Sequence, residues 1–184
     1  MPNEPSTLRR DDCFLLVVDL QARLMPAIDG GDGAVKKTVF LAQVAERLGV
    51  PALFTEQNPS GLGPTVPALK PFVEQLFVKR HFSAAREPGF FERLPQGRMT
   101  AVVTGAETHV CVLQTVLGLR ERGYGVAVVA DAVGSRYPAD REVGLRRMAE
   151  YGAEIVTAEM VAFEWLGTCD HPDFKAVIAL VKGL

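Results

Sequence analysis

The chain has 184 residues, a formal net charge of −2 and an apolar fraction of 48%. This length and composition are typical of one folded domain with a sizeable core, and they exclude a disordered chain. The charge provides no basic excess to bind a phosphate backbone, so we expect no nucleic-acid partner. The three cysteines are odd in number and widely spaced, which argues against a disulfide framework and favours a reducing, cytoplasmic location.

In chain order, a polar and charged segment at 1–12 predicts a loose N-terminal arm without a secretory signal. Apolar runs then predict strands at 13–18, 50–54, 76–78, 101–103, 126–130 and 153–157. Helical patterns and helix-terminating residues lie between them, at 34–48, 71–75, 87–96, 111–123, 138–151, 159–166 and 172–181. No apolar run is long enough to span a bilayer, so we expect no membrane partner.

Strands that alternate with helices predict βαβ units and a parallel sheet covered on both faces. The sequence contains no internal repeat, linker or shift in composition. We therefore predict a single domain over 1–184, with an α/β fold: a three-layer α/β/α sandwich around a six-stranded parallel sheet.

Three reactive side chains follow predicted strands. Asp19 ends the first strand, Lys79 ends the third, and Cys111 follows the fourth. Sites in open parallel sheets form beyond the carboxyl ends of the strands, so the fold itself would bring these groups to one edge. Each has a plainer interpretation when taken alone: a turn-capping carboxylate, a solvated lysine, a small buried cysteine. Asp131, after the fifth strand, is interpreted as structural.

Cys111 lies at the predicted first turn of a helix, after a buried strand and the sharp turn that Gly105 allows. The N–H groups and dipole of a helix N-terminus favour a thiolate, which predicts a lowered pKa for Cys111. A Cys111–His109 pair is the alternative nucleophile arrangement. Residues this close around a turn rarely point the same way, which favours Asp19 and Lys79 as the partners.

The three histidines have no metal-ligand spacing, so the sequence predicts no metal and no cofactor. Two glycine-rich pieces, at 30–33 and 60–63, do not join a strand to a helix and are weak as phosphate loops. The walls of a substrate pocket are expected near Gln21, Gln57, Phe82 and Thr108.

Several motifs resemble the isochorismatase-like cysteine hydrolase superfamily. They are Leu-Leu-Val-Val-Asp-Leu-Gln at 15–21, Lys79 with Phe-Ser at 82–83, and Gly-Ala-Glu-Thr-His-Val-Cys-Val at 105–112. The segments 55–67, 131–136 and 171–175 resemble the small isochorismatase domain-containing hydrolases of that superfamily. Order and spacing match over nearly the whole chain.

The resemblance implies a catalytic triad of Asp19, Lys79 and Cys111. It also implies a cis peptide bond between Ala106 and Glu107, with the backbone N–H groups of Glu107 and Cys111 as an oxyanion hole. Members of the superfamily have the fold predicted above and are frequently dimers or larger homo-oligomers, so we expect a homo-oligomer here.

Two departures narrow the expected substrate. Thr-Glu-Gln at 55–57 stands where nicotinamidases of this superfamily carry Asp/His metal ligands, which argues against a metal and against nicotinamidase activity. Isochorismatases proper tend to lack the cysteine, so Cys111 argues against isochorismate. The expected function is hydrolysis of a C–N bond, other than a peptide bond, in a small amide-like molecule through a thioester. The alternative is a non-catalytic or redox-responsive thiol protein that retains the pocket.

Overall fold

The structure, a computed structural model, describes residues 7–184. Its strands are β1 (Cys13–Val18), β2 (Ala52–Gln57), β3 (Leu76–Lys79), β4 (Thr100–Ala106), β5 (Gly125–Gly134) and β6 (Glu154–Val156). Its α-helices are α1 (Gly31–Leu48), α2 (Pro59–Leu62), α3 (Phe90–Arg93), α4 (Leu113–Glu121), α5 (Pro138–Glu150), α6 (Ala158–Leu166) and α7 (Phe174–Lys182). Short 3₁₀ turns occupy Met25–Ala27, Pro67–Phe72 and Ala84–Arg86, and a π-helical turn, Thr108–Val112, leads into α4.

The six strands form one parallel sheet in the order β3-β2-β1-β4-β5-β6. Helices cover both faces, with α1, α6 and α7 on one side and α4 and α5 on the other. Alternate residues of β1 enter the two cores: Leu15 and Val17 face one, Phe14 and Leu16 the other. Burial on both faces explains the uninterrupted apolar run of this strand. The predicted three-layer sandwich with a six-stranded parallel sheet is confirmed.

Three strands extend by three or more residues beyond their predicted ends, and β3 extends by one residue, to Lys79. The structure carries β2 to Gln57, β4 to Ala106 and β5 to Gly134. The apolar-run criterion stops at the first polar side chain, whereas strand pairing uses only the backbone; Thr55, for example, still pairs with Val18. The polar ends of the strands are therefore part of the sheet and are held rigidly by it. Two helices also differ from the prediction: α1 begins at Gly31, three residues before its predicted start, and α2 lies in the glycine-rich segment between β2 and β3, where no helix is predicted.

Part of the predicted N-terminal arm is packed. Leu8 is buried and its N–H donates to the Glu164 carboxylate. Asp12 accepts hydrogen bonds from the Met99 N–H at 3.1 Å and from the Thr100 hydroxyl at 2.6 Å. For residues 8–12 the prediction of a loose arm is therefore wrong, because one apolar and one acidic side chain anchor it. Residues 1–6 lie outside the described residues.

Within residues 7–184, every helix is too short or too polar to cross a membrane.

The strand order reverses at the boundary between β1 and β4. From β1 the sheet continues to β2 and β3 on one side and to β4, β5 and β6 on the other. Connections leave such a boundary in opposite directions, which opens a crevice beyond the strand ends. Asp19 directly follows β1, and the π-helical turn that contains Cys111 follows β4. The topology thus places both residues at this crevice.

Gly105 is expected to be indispensable at this boundary. It pairs with Val18, and a Cβ there would lie 2.1 Å from the Val18 carbonyl oxygen, at a φ of +137° that L side chains rarely adopt. We expect Gly105→Ala to lower the free energy of unfolding in urea by at least about 3 kcal/mol.

The matched control is Gly33→Ala. Gly33 lies in α1 with no atom within 4 Å of an added Cβ, so this change should stabilise the protein by roughly 0.5–1 kcal/mol. A Gly105→Ala variant as stable as the parent would contradict the close approach of β1 and β4.

Candidate active site

A buried ion pair lies beyond the ends of β1 and β3. Asp19 Oδ2 is 2.7 Å from Lys79 Nζ, and both side chains are 0% exposed. The other carboxylate oxygen, Oδ1, accepts a hydrogen bond from the Thr55 hydroxyl at 2.6 Å. Asp19 itself has a φ of +52°, a left-handed conformation that Asp tolerates better than most residues. Burial demands such compensation, because an unpaired charge in a dry interior is strongly unfavourable.

Lys79 reaches this position from two strands away. Parallel strands lie about 4.8 Å apart, so the side chain must cross the end of β2 to meet Asp19. On the way, Nζ donates to Gln57 Oε1 at 2.9 Å, to the Phe82 carbonyl at 2.9 Å and to the His81 carbonyl at 3.2 Å. An ammonium has three donors. Every N–H of Lys79 is therefore engaged by protein acceptors.

Glu87 shapes the loop that supplies these carbonyls. Its Oε2 accepts the backbone N–H groups of His81 and Arg80 at 2.9 Å each, and it contacts His81 Nδ1 at 2.8 Å. The hydrogen bond from the His81 N–H is the main cause that lowers the pKa of Glu87 to about 2. Glu87 thus remains ionised near neutral pH and keeps the loop in place.

Cys111 joins the ion pair from the far side of the crevice. It lies in the π-helical turn before α4, and the residue is 8% exposed. Its thiol donates to Gln57 Oε1, with Sγ 3.5 Å from that oxygen. The structure therefore brings Asp19, Lys79 and Cys111 into one cluster, with Gln57 between the lysine and the cysteine.

The expected lowering of the Cys111 pKa is wrong. Burial raises the pKa of the Cys111 thiol to about 12; the nearby Asp19 carboxylate raises it further, and Lys79 only partly offsets these effects. A helix N-terminus lowers the pKa of a thiol that is open to solvent, whereas this sulfur is buried beside a carboxylate. Desolvation destabilises the thiolate. The Lys79 ammonium, whose N–H groups other acceptors share, does not stabilise the thiolate enough to compensate. The resting side chain is a neutral thiol.

Contacts to β5 and α5 hold the turn around Cys111. Glu107 Oε1 is 3.2 Å from Arg136 Nε, and Glu107 Oε2 accepts the Arg136 N–H at 3.0 Å. His109 Nδ1 lies 3.0 Å from the Ser135 hydroxyl, and a Cβ on Gly144 of α5 would lie 3.1 Å from His109 Cα. The His109 ring is directed at Ser135, so the alternative Cys111–His109 pair is not formed.

Two polar groups beside Cys111 lack protein partners. The Ala106–Glu107 peptide bond is cis, as the resemblance implies, and the Glu107 N–H donates to no backbone carbonyl among residues 7–184. Thr108 is fully buried, and within the same range its hydroxyl has no hydrogen-bond partner. Buried polar groups are normally satisfied, so the Thr108 hydroxyl marks a place where a bound molecule would find a hydrogen-bonding group. The Glu107 N–H is a second donor without a backbone acceptor in this turn.

The remaining expected pocket residues differ in their surroundings. Gln21 is fully buried: its Nε2 donates to the carbonyls of Gln57 and Gly63, at 3.0 and 2.6 Å, and its Oε1 accepts the Gln57 N–H at 2.8 Å. Its amide thus supports Gln57 and leaves no donor for a substrate. Phe82 meets the cluster only through its carbonyl oxygen, since its side chain is largely solvent-exposed.

An isochorismatase domain model matches residues 13–160. The chain belongs to the isochorismatase family. Isochorismatase domain-containing protein 2 of Xenopus laevis is 38% identical over 170 residues, which cover 91% of this chain and 82% of that protein. Members of this family are hydrolases, so the chain is assigned to the hydrolases through its family.

Solved structures show a similar fold over nearly the whole chain. A chain described as MAR1 ribonuclease from Caenorhabditis elegans has a TM-score of 0.91 and 36% identity, covering 96% of this chain and 93% of that one. YcaC from Pseudomonas aeruginosa, solved with hexane-2,5-diol and covalent acrylamide, has a TM-score of 0.88 and 27% identity, covering 95% and 91%. This member of the isochorismatase family thus shares its fold over nearly its full length with both.

Sequence reasoning does not identify Thr55 or Glu56 as part of the site. Side chains alternate along a strand, so Thr55 and Gln57 point one way and Glu56 the other. Thr55 and Gln57 contact Asp19, Lys79 and Cys111. Glu56 Oε1 instead accepts the N–H and hydroxyl of Thr65, at 2.6 and 2.8 Å. Extending β2 by three residues would have revealed this division, and the polar Thr-Glu-Gln triplet was the available signal.

Other ionisable groups lie outside the cluster. Among residues 7–184, no three His, Cys, Asp or Glu side chains form a group that could hold a metal. Asp131 accepts the Ala158 N–H at the start of α6 at 2.8 Å and pairs with Lys37 at 3.4 Å. The structural interpretation of Asp131 is therefore confirmed.

The Asp19–Lys79 ion pair leads to a prediction about stability. We expect Lys79→Met to lower the free energy of unfolding by about 3–5 kcal/mol, because it leaves the Asp19 carboxylate buried without its cation. The double variant Asp19→Asn, Lys79→Met should lose less than the sum of the two single variants by more than about 1 kcal/mol. Urea denaturation measures all three. Strictly additive losses would contradict the coupling.

The raised pKa of the Cys111 thiol leads to a prediction about its reactivity. Near neutral pH, iodoacetamide should modify Cys111 at least about tenfold more slowly than the exposed Cys169, because the thiolate is the reactive form. The rate at Cys111 should then increase as the pH rises toward its pKa. Mass spectrometry of the separated peptides reports both sites from one sample. Faster labelling of Cys111 than of Cys169 would contradict the neutral resting thiol.

Proposed function

We propose that this protein is a cysteine hydrolase that cleaves a C–N bond, other than a peptide bond, in a small amide-like molecule. Cys111 is the nucleophile, Asp19 the proton acceptor, and Lys79 the cation that pairs with Asp19. The observation that carries the proposal is the convergence of these three side chains from three strand ends into one buried cluster.

In the first step, the Cys111 thiol attacks the substrate carbonyl carbon. The S–H proton passes to Asp19 as the S–C bond forms, because a thiol this weakly acidic does not ionise in advance. The carbonyl electron pair moves onto oxygen. When the tetrahedral intermediate collapses, Asp19 returns the proton to the leaving nitrogen, the C–N bond breaks, and a thioester remains. Water, deprotonated by Asp19, then attacks the thioester carbon; the C–S bond breaks, the acid leaves, and Asp19 returns the proton to the Cys111 sulfur.

The backbone N–H groups of Glu107 and Cys111 serve as the oxyanion hole. The lack of a backbone acceptor for the Glu107 N–H supports this assignment. One such donor is typically worth about 10²–10³ in rate. Thr108 supplies a hydroxyl to the substrate, and Gln57 lies beside the nucleophile. This arrangement uses no metal and no cofactor.

The comparison with YcaC supports a reactive nucleophile, since the description of that structure names a covalent acrylamide. Acrylamide is itself a small amide with an electrophilic carbon. The description of the Caenorhabditis elegans relative names a ribonuclease, which makes RNA the contrasting substrate. The chain disfavours it: net charge is −2, and Lys79, the cation of this cluster, is paired and fully engaged. We therefore keep a small molecule as the substrate.

The redox alternative has less support. Cys13 lies at the opposite end of β1 from Asp19, six residues or roughly 20 Å away along the strand direction. It also belongs to the core on the other face of the sheet from Cys111. Cys169 is exposed in the segment between α6 and α7. Neither is positioned as a resolving cysteine.

Homo-oligomerisation and a cytoplasmic location remain predictions. Leu76, Val78 and Phe82, on and after the edge strand β3, expose 37%, 51% and 55% of their surface. Apolar side chains on an open sheet edge favour contact with another chain, and they support an oligomer.

A substrate screen tests the proposal. Purified protein is offered small primary amides, nicotinamide, isochorismate and an RNA oligonucleotide, with product detection by mass spectrometry. We expect turnover of an amide, a loss of at least about 10³ in kcat for Cys111→Ala, and an acyl adduct on Cys111 during turnover. Cys169→Ala is the matched control and should retain full activity. Amide turnover that survives Cys111→Ala, or cleavage of RNA alone, would refute it.

A further inference from the structure

Gln57 stands at the centre of the cluster without a role in the chemistry above. Its Oε1 accepts two hydrogen bonds, from Lys79 Nζ at 2.9 Å and from the Cys111 thiol at 3.5 Å. Its Nε2 donates to the Arg80 carbonyl at 2.9 Å. One carbonyl oxygen thus connects the proposed nucleophile to the cation of the ion pair.

The orientation of this amide is fixed by its partners. An ammonium only donates, and a backbone carbonyl only accepts. Lys79 therefore requires the oxygen of Gln57 on its side, and Arg80 requires the nitrogen on the other. The backbone of Gln57 is equally constrained, because its N–H and carbonyl are both held by the Gln21 side chain. The amide cannot turn its NH₂ toward Cys111 without losing both contacts.

This orientation has a direct consequence for the sulfur. A carbonyl oxygen accepts a hydrogen bond from a neutral thiol but faces a thiolate with its lone pairs, and hydrogen bonding to the neutral form disfavours the charged one. The same oxygen also occupies one of the three donors of Lys79, and the carbonyls of residues 81 and 82 accept the other two, while Asp19 pairs with the ammonium through its charge. Because Gln57 accepts one N–H of Lys79, that N–H is not available to stabilise a thiolate at Cys111.

We propose that Gln57 is a positioning residue that keeps Cys111 protonated in the resting protein, by accepting the thiol hydrogen bond on the oxygen that also engages Lys79. The inference relies on the proposed function only for the identity of the nucleophile. It explains how a cysteine beside a lysine stays unreactive until a substrate carbonyl is present. The charged groups that act on the sulfur are Asp19, which also opposes the thiolate, and Lys79, which favours it.

Two substitutions of Gln57 have opposite expected effects. Gln57→Met keeps the length of the side chain but removes the acceptor and releases a donor of Lys79. It should lower the apparent pKa of Cys111 and accelerate its alkylation by iodoacetamide near neutral pH about three- to tenfold. Gln57→Glu retains an oxygen at this position and adds negative charge when ionised. It should alkylate at the parental rate or more slowly, with an equal or higher apparent pKa.

The readout is the rate of alkylation of the Cys111 peptide as a function of pH, with Cys169 in the same molecule as the internal reference. A loosened structure would accelerate alkylation in both variants, so the opposite signs separate positioning from mere packing. Gln57→Leu replaces Gln57→Met if the latter does not fold, as judged by circular dichroism. Unchanged or slower alkylation in the apolar variant, or faster alkylation in both variants, would overturn the inference.

Alkylation needs no substrate, so this experiment and the substrate screen fail independently. A protein without amide turnover could still show the effect of Gln57, and an active hydrolase could lack it.

Discussion

The buried ion pair between Asp19 and Lys79 is the interaction on which the rest of the site depends. Neither side chain has contact with solvent, so each requires the other, and each requires its remaining hydrogen-bonding groups to be satisfied. Thr55 satisfies the second carboxylate oxygen, and Gln57 with two loop carbonyls satisfies the ammonium. Because these partners come from the ends of β1, β2 and β3 and from the loop after β3, compensation of the two buried charges holds all four segments in place.

The state of the sulfur follows from the same dry environment. The Asp19 carboxylate raises the pKa of the Cys111 thiol and the Lys79 ammonium lowers it. Desolvation also raises this pKa and is the largest effect, so the thiol keeps its proton. The cluster therefore differs from cysteine sites in which a helix terminus or an imidazolium generates a standing thiolate. In the proposed reaction, the S–H proton therefore leaves Cys111 only as the bond to the substrate forms.

The turn that carries Cys111 is positioned from outside the cluster. Arg136 and Ser135, at the end of β5, hold Glu107 and His109, and Gly144 lets α5 approach the backbone at His109. In this chain, β1 to β3 position the two charged side chains, while β4 and β5 position the turn that carries Cys111. The boundary at which the strand order reverses is where the two meet.

The sequence by itself determined the layer architecture, the number of strands and the three side chains that converge. Alternating apolar runs and helical patterns carry that information locally, and parallel strands necessarily bring their carboxyl ends to one edge. It did not determine the extent of the strands beyond their apolar portions, the π-helical turn at Cys111, or the role of Thr55. Only the tertiary structure decided the protonation of the thiol, because a pKa depends on burial and on neighbours from distant strands. For the same reason, the orientation of Gln57 between Lys79 and Cys111 has no local signal in the chain.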